Sequence, residues 1–420
     1  MMRRLRDSGI KWIGEIPENW RIESIGRHFE NRNEKVSDYD YAPLSVTKSG
    51  VVPQLDEVAK SNAHEDRKLV RRGDFVINSR SDRKQSCGLS SYDGSVSLIN
   101  LVLVPHGEID SLYSSYLFNN YGFAEEFYRW GTGIVADLWS TKWDLMRRIN
   151  VPVPPIAEQK KIADFLDGKC AEIDELVQTE EKMIEELKAY KQSVITEAVT
   201  KGLDSAAPMK DSGIEWIGAI PQSWRTMPIK HCCKINLESL KDTEKDDLLI
   251  NYIDISSADE NGNINFVDEI TFLNAPSRAR RIIRKGDVII STVRTYLKVI
   301  ALIDEKYDGF ICSTGFAVLT PLEKVEARFL YYNIYTDSFT SRVSYYSNGI
   351  SYPAINSSVL ATLHITLPSI DEQKQIADYL DEKCAKIDEM IAIRTEQINQ
   401  LKEYKKSLIY EYVTGKKEVV

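Results

Sequence analysis

Over two long stretches of the chain, apolar residues return every three or four positions. In the first they are Ile162, Leu166, Cys170, Ile173, Leu176 with Val177, Met183 with Ile184, Leu187, Tyr190 and Val194. In the second they are Ile376, Leu380, Cys384, Ile387, Met390 with Ile391, Ile398, Leu401, Tyr404 and Leu408. Sustained spacing of this kind is the seam of a coiled coil and predicts two long helices. Pro155 suits the first turn of one, and Ser369 with Glu372 has capping-box spacing for the other. Gly202 and Gly415 follow the last periodic residues, where a helix ends. Helices of about 45 residues are on the order of 65 Å long. Two of them in one chain bury their seams most simply against each other.

The remaining sequence carries shorter patterns. Phe75–Ile77 and Val288–Ile290 are apolar strands, each after a Gly-Asp turn, Gly73-Asp74 and Gly286-Asp287. Ser97–Val104 and Phe316–Leu319 read as further strands. Leu112–Tyr128 and Ala327–Arg342 read as amphipathic helices. These bodies are therefore mixed α/β.

The chain says nearly the same thing twice. DSGIKWIGEIPENW at 7–20 returns as DSGIEWIGAIPQSW at 211–224, with ten of fourteen positions identical. EQKKIADFLDGKCAEIDELV at 158–177 returns as EQKQIADYLDEKCAKIDEMI at 372–391, with fourteen of twenty identical. The offsets are 204 and 214, so the second copy holds about ten more residues between its matching ends. The middles hardly match. This period is too long for a solenoid, and the pattern is a tandem duplication with pseudo-twofold character. Its parts are a leading segment (1–20), a body (21–152), a helix (153–203), a second leading segment (204–224), a second body (225–367) and a second helix (368–420). Trp12, Trp20, Trp216 and Trp224 in the leading segments cap the helices or dock a partner.

Composition narrows the class. A chain of 420 residues with 43% hydrophobic and 28% charged content is globular, and no apolar run reaches the length of a membrane helix. No secretion signal is evident, so the expected compartment is the cytoplasm. None of the six cysteines forms a CxxC, and no Cys/His set has zinc spacing, so they read as reduced core thiols. The net charge of −9 is not that of a typical nucleic-acid binder. The average hides local runs, however. Arg67–Lys84 holds seven basic residues against Asp74 and Asp82, and Arg278–Lys298 holds seven against Asp287. These runs stand at matching places in the two copies.

Familiar catalytic signatures are missing. There is no phosphate-binding GxxxxGK[ST] loop and no GxSxG elbow. The only double proline, Pro154-Pro155, follows a valine, not the Asn or Asp of a methyltransferase loop. The reading is a protein without intrinsic catalysis.

Three motifs, each present twice and in order, resemble the specificity subunit of type I restriction–modification systems. They are Asp-Ser-Gly-Ile-x-Trp-Ile-Gly-x-Ile-Pro before each body, Lys/Arg-Gly-Asp and an apolar strand inside it, and a proline-ended strand into Glu-Gln after it (151–159 and 367–373). The resemblance covers essentially the whole chain. It implies an α+β fold: two mixed α/β target-recognition domains joined by two long antiparallel helices in a pseudo-twofold repeat. Each domain is implied to read one half of a bipartite site in double-stranded DNA. The helices are implied to set the spacer and dock two methyltransferase subunits, with restriction subunits joining. S-adenosylmethionine, ATP and Mg²⁺ are implied for those partners and none for this chain.

Candidate DNA contacts follow the central strand of each body: Arg80, Arg83, Lys84 and Gln85, then Thr292, Arg294, Tyr296 and Lys298. Arg and Lys suit guanine edges or phosphate, and Gln suits adenine. A second zone precedes each long helix, at Thr132, Gly133, Trp139 and Lys142, then Asn348, Gly349, Tyr352 and Asn356. Tyr352 fits a core equally well. The competing readings are a coiled-coil scaffold without sequence-specific DNA binding and a self-sufficient adenine methyltransferase. Divergent basic bodies weigh against the first, and the missing methyltransferase loop against the second.

Overall fold

The periodic stretches form two unbroken helices, Ile156–Lys201 of 46 residues and Ile370–Val413 of 44. The computed structural model of the chain describes residues 3–54, 64–80, 83–133, 139–259, 262–349 and 351–419. It divides into two compact units, Met1–Glu181 with Thr395–Val420, and Lys182–Arg394. Each unit thus owns one globular body and a segment of each long helix.

The helices pair antiparallel within each unit. In the first, the Phe165 and Tyr412 rings lie 4.5 Å apart, Asp174 meets Lys405 at 2.7 Å and Glu181 meets Lys402 at 3.4 Å. In the second, Lys191 meets Asp388 at 2.7 Å, and Ile195, Ala198 and Val199 pack with Ile376, Leu380 and Cys384. The seam is narrower than the periodicity predicts. Ile162, Leu166, Cys170, Ile173 and Val177 are buried, but Leu176, Met183, Tyr190, Met390 and Tyr404 are exposed. Two helices cover one stripe, and these five fall off it.

The repeated motifs prove to be joints. Gln159 and Gln373 are fully buried. Gln159 Oε1 accepts from the Asp110 amide, and its Nε2 donates to the carbonyls of Glu108 and Pro154. Gln373 repeats all three bonds with Glu326, Lys324 and Pro368. Each Gln therefore ties the start of a long helix to the loop before the body's first helix. The Ser369 hydroxyl accepts from the Glu372 amide at 3.3 Å, but Glu372 turns away to accept from Trp224 Nε1 at 2.9 Å. The predicted capping box is thus half made.

Trp20 and Trp224 are each 1% exposed, and both pack against the end of a long helix. Gly415 and Gly202 have φ of +73° and +77°, the left-handed closing conformation. A Cβ on Gly415 would lie 2.4 Å from the Pro17 side chain, and one on Gly202 would lie 3.1 Å from Trp224. The leading segments therefore cap the helices. Trp12 and Trp216 complete the caps edge-on to Phe123 and Phe339.

Each body opens and closes on one strand pair. Arg21–Ser24 runs antiparallel to Asn150–Val153, and Arg225–Pro228 to His364–Leu367. Inside, the main sheets share one strand order. In the first unit it is Cys87–Leu89, Phe75–Asn78, Asn100–Pro105, Phe29–Asn31. In the second it is Ile300–Leu302, Val288–Ser291, Phe316–Pro321, Cys233–Ile235. A further strand pair, Arg67–Val70 with Gly94–Ser97, matches Ala279–Ile282 with Ile311–Ser313. Divergence gathers beside it. The first unit has a hairpin of Leu44–Thr47 and Gly50–Pro53, while the second has Leu249–Ile253 and Asp268–Thr271 paired into the sheet.

Two further sequence expectations change. The apolar run Ser97–Val104 is not one strand, because Leu98 and Ile99 form a tight turn between Gly94–Ser97 and Asn100–Pro105. Each amphipathic helix is two: Ser111–Asn119 and Tyr121–Arg129, then Ala327–Tyr335 and Asp337–Tyr345. Asn120 and Thr336 sit extended between them and cap the second helix through their side chains. Periodicity alone does not see such a break, because the apolar face continues across it.

The six thiols are free and buried, as expected. Burial pushes Cys87, Cys233 and Cys312 up to about 12, so none is a thiolate nucleophile near neutral pH.

Candidate nucleic-acid interface

The two candidate zones in each body, some fifty residues apart in the chain, become neighbours. Backbone bridges link Arg80 to Ser140 and Ser140 to Thr132. In the second unit they link Val293 to Ala354 and Ala354 to Asn348. The amides confirm the stitch. Thr132 and Ser140 exchange bonds of 3.0 Å, and Asn348 and Ala354 exchange bonds of 2.9 Å. The Thr141 amide donates to Ser79, and the Ile355 amide to Thr292. So each unit presents one patch, made where the central strand ends and the loop after Tyr121–Arg129, or after Asp337–Tyr345, crosses it; a short helix and the closing strand still separate that loop from the long helix.

On the first patch Arg80 and Lys142 are exposed and form no ion pair among the described residues. Lys84 is held at 2.8 Å by Glu125 and lies 5.6 Å from the centre of the Tyr128 ring. Arg83 is exposed beside it. Gln85 has φ +61°, unusual for a non-glycine residue, and its Nε2 reaches the Asn119 carbonyl at 3.4 Å. Thr132 and Gly133 are exposed, whereas Trp139 is half-buried and donates to the Tyr128 carbonyl. Asp82 lies outside the described residues.

On the second patch Thr292 is buried, and its hydroxyl donates to the Gly315 carbonyl at 2.9 Å. It shapes the patch from beneath, its hydroxyl proton committed and the side chain covered. Arg294 is exposed in the left-handed region, φ +54°, with its guanidinium 4.9 Å from the Tyr352 ring centre. Its amide is fixed by the Pro353 carbonyl at 2.8 Å. Strain of this sort persists where the surroundings impose it. Tyr352 is 62% exposed and Tyr296 58%, so neither is core. Lys298, φ +48°, pairs with Asp337 at 2.8 Å. Asn348 and Gly349 are exposed, and Asn356 caps the short helix Ser357–Leu360 with its side chain.

The basic runs are far from bare positive faces. In the second, Arg278 pairs with Asp254, Arg280 with Asp242, Arg284 with Glu238, Lys285 with Glu305 and Lys298 with Asp337. Arg294 and Arg281 are the two left without an acid among the described residues. In the first, Arg67 and Lys68 are buried, and burial lowers both pKa values. Arg67 donates to Ser95 and Lys68 to the Asn100 carbonyl at 2.8 Å. Sequence alone counts charges, whereas partners from distant strands decide which remain available. Among the described residues no group of three or more His, Cys, Asp or Glu is placed to hold a metal. No helix there is long and apolar enough to cross a membrane.

Comparisons with known proteins converge. The family model described as "Type I restriction modification DNA specificity domain" matches residues 221–403. The type I restriction enzyme MjaVIII specificity subunit of Methanocaldococcus jannaschii is 26% identical over 96% of this chain and 93% of its own length. The putative MjaX specificity subunit of the same organism is 24% identical over 96% and 95%. The EcoKI specificity subunit of Escherichia coli is 25% identical over 54% of this chain and 49% of its own. Among solved structures, a chain from a type I R-M system shares the fold with a TM-score of 0.70 at 17% identity, covering 95% of this chain and 98% of that one. The HsdS subunit from Thermoanaerobacter tengcongensis matches at a TM-score of 0.51 and 17% identity, covering 97% and 99%.

Proposed function

We infer that the chain is a type I restriction–modification specificity subunit, the DNA-recognition part of such a system without a catalytic centre of its own, a reading supported by the family model over 221–403 and by relatives aligned over 96% of the chain. The observation that carries this is the pair of stitched patches: one frame, built twice, presents two different sets of side chains. A scaffold has no use for that difference. Two readers of unlike DNA sequences require it.

On this reading the exposed groups of each patch, with the half-buried Gln85, meet DNA. Arg80, Arg83, Lys84, Gln85 and Lys142 serve one half-site, and Arg294, Tyr296, Lys298, Asn348 and Tyr352 the other. Thr292 supports them from below. Lys84 and Lys298 reach a phosphate by exchanging an exposed carboxylate for it, a weak pair that gives way readily. The long helices set the spacer and hold two methyltransferase subunits, and restriction subunits complete the complex. S-adenosylmethionine, ATP and Mg²⁺ act on those partners.

The first test is reconstitution. The purified chain is expected to transfer no methyl group from labelled S-adenosylmethionine to DNA, and to support transfer once methyltransferase subunits are added. Transfer by the chain alone would refute the assignment. The second is Arg294→Ala. If the guanidinium held over Tyr352 grips a base edge, the variant loses about 1–3 kcal/mol at a single base position. Methylation of every single-base variant of the site measures this, and a uniform loss would assign Arg294 to a phosphate instead.

A further inference from the structure

Lys68 lies on the face of its strand that carries Val70 and, across the pair, Val96, two members of a valine-rich core cluster. It is only 8% exposed, and among the described residues its ammonium has no carboxylate. Burial lowers its pKa for that reason. A buried charge without a counter-ion is costly, and an apolar side chain would fit better among valines.

The second unit repeats the feature. Arg281 faces Cys312 across its strand pair as Lys68 faces Val96. Its Nε is buried without a hydrogen-bond partner, and burial lowers its pKa too. Two bodies that diverge almost everywhere keep an acid-free cation at one place, buried in the first and half-buried in the second.

Lys68 does not end in solid core. It lines a cavity of about 440 Å³ together with Arg80, Lys142, Leu98, Ile99 and Trp143. Three cations and no carboxylate face it among the described residues. Its rim is the Leu98-Ile99 turn, with both side chains nearly 40% exposed. The turn joins strands of two different sheets, and turns favour Gly, Asn, Asp, Ser or Pro, so turn chemistry does not call for two large aliphatic residues there. They suit a lip against an apolar surface such as deoxyribose.

We propose that this cavity seats one backbone phosphate of the bound DNA, held by Lys68, Arg80 and Lys142, with Leu98 and Ile99 against the adjoining sugar. The proposal rests on the DNA-recognition reading above. It assigns Lys68 an affinity role that is blind to sequence, unlike the base readers beside it.

The test uses the full chain assembled with methyltransferase subunits, and duplexes carrying a neutral methylphosphonate at one position at a time. Wild type should show a small set of phosphates whose neutralisation weakens binding, one of them the phosphate seated in this cavity. In Lys68→Met that position should fall silent, affinity should drop roughly tenfold for all duplexes alike, and the slope of log affinity against log salt should shrink by about 0.9. Unchanged slope and phosphonate profile in folded Lys68→Met would overturn the proposal while leaving DNA recognition intact. Failure of wild type to bind any duplex would instead sink the recognition reading. Should Lys68→Met not fold, Arg80→Ala and Lys142→Ala, both on the surface, must silence one common phosphate; silencing none, or two distant ones, overturns it. If inorganic phosphate raises the melting temperature of wild type but not of the variant, with the DNA slope unchanged, the cavity belongs to a free anion and the proposal fails.

Discussion

Lengthening both long helices by four residues should yield a protein that keeps both half-site sequences and needs a spacer longer by one or two base pairs. The insertions belong where one unit gives way to the other, after Glu181 and after Arg394. Residues there are already exposed or half-buried, so no core contact is cut. Four residues add about 6 Å of helix, nearly two base pairs at about 3.4 Å each. Rotation must follow. Four residues turn a helix by about 400°, a net twist near +40°. Two base pairs turn DNA by roughly 70° in the same sense. The remaining 30° or so is within reach of a modest bend. A seven-residue insertion fits worse: it adds about three base pairs of length with a net twist near −20°, against roughly +100° in the DNA. Four residues are also a stutter, which coiled coils absorb by local unwinding. Methylating a library of sites with randomised spacer length reads the result. An active variant that still prefers the original spacer would mean the helices are not the ruler.

Exchanging one body should rewrite one half of the recognised site and leave the other untouched. The body 21–152 begins and ends on adjacent strands, Arg21–Ser24 and Asn150–Val153, so both graft points sit side by side. The joint at Gln159, with its three hydrogen bonds, stays outside the graft except for the partners at Glu108 and Asp110. Those partners are backbone groups, so a related body supplies them whatever its side chains. Sequencing the methylated sites of the chimera gives the answer. A change in both halves would show that the two bodies do not read independently.

The long helices, the duplication and the reduced cysteines were legible from the chain alone, because each rests on a local rule. Spacing of three and four marks a buried stripe wherever it occurs, and glycines such as Gly202 and Gly415 mark a helix end by backbone freedom that other residues lack. The central strands and their Gly-Asp turns were legible for the same reason. Short-range patterns failed where two answers look alike along the chain. Leu98-Ile99 reads as strand because it is apolar, yet it turns. Asn120 and Thr336 break helices whose apolar faces run on across them.

What the tertiary structure alone decided was partnership. Arg280 and Arg294 look equivalent in the sequence, but Asp242 neutralises one while Tyr352 supports the other. Lys68 is one basic residue among seven until the sheet buries it beside Val96. Thr292 reads as a surface hydroxyl until Gly315 takes it up. Electrostatics and burial depend on groups brought close in space from far along the chain. Residue order therefore announces that charge is present, and only the fold settles which of it is left without a partner among the described residues.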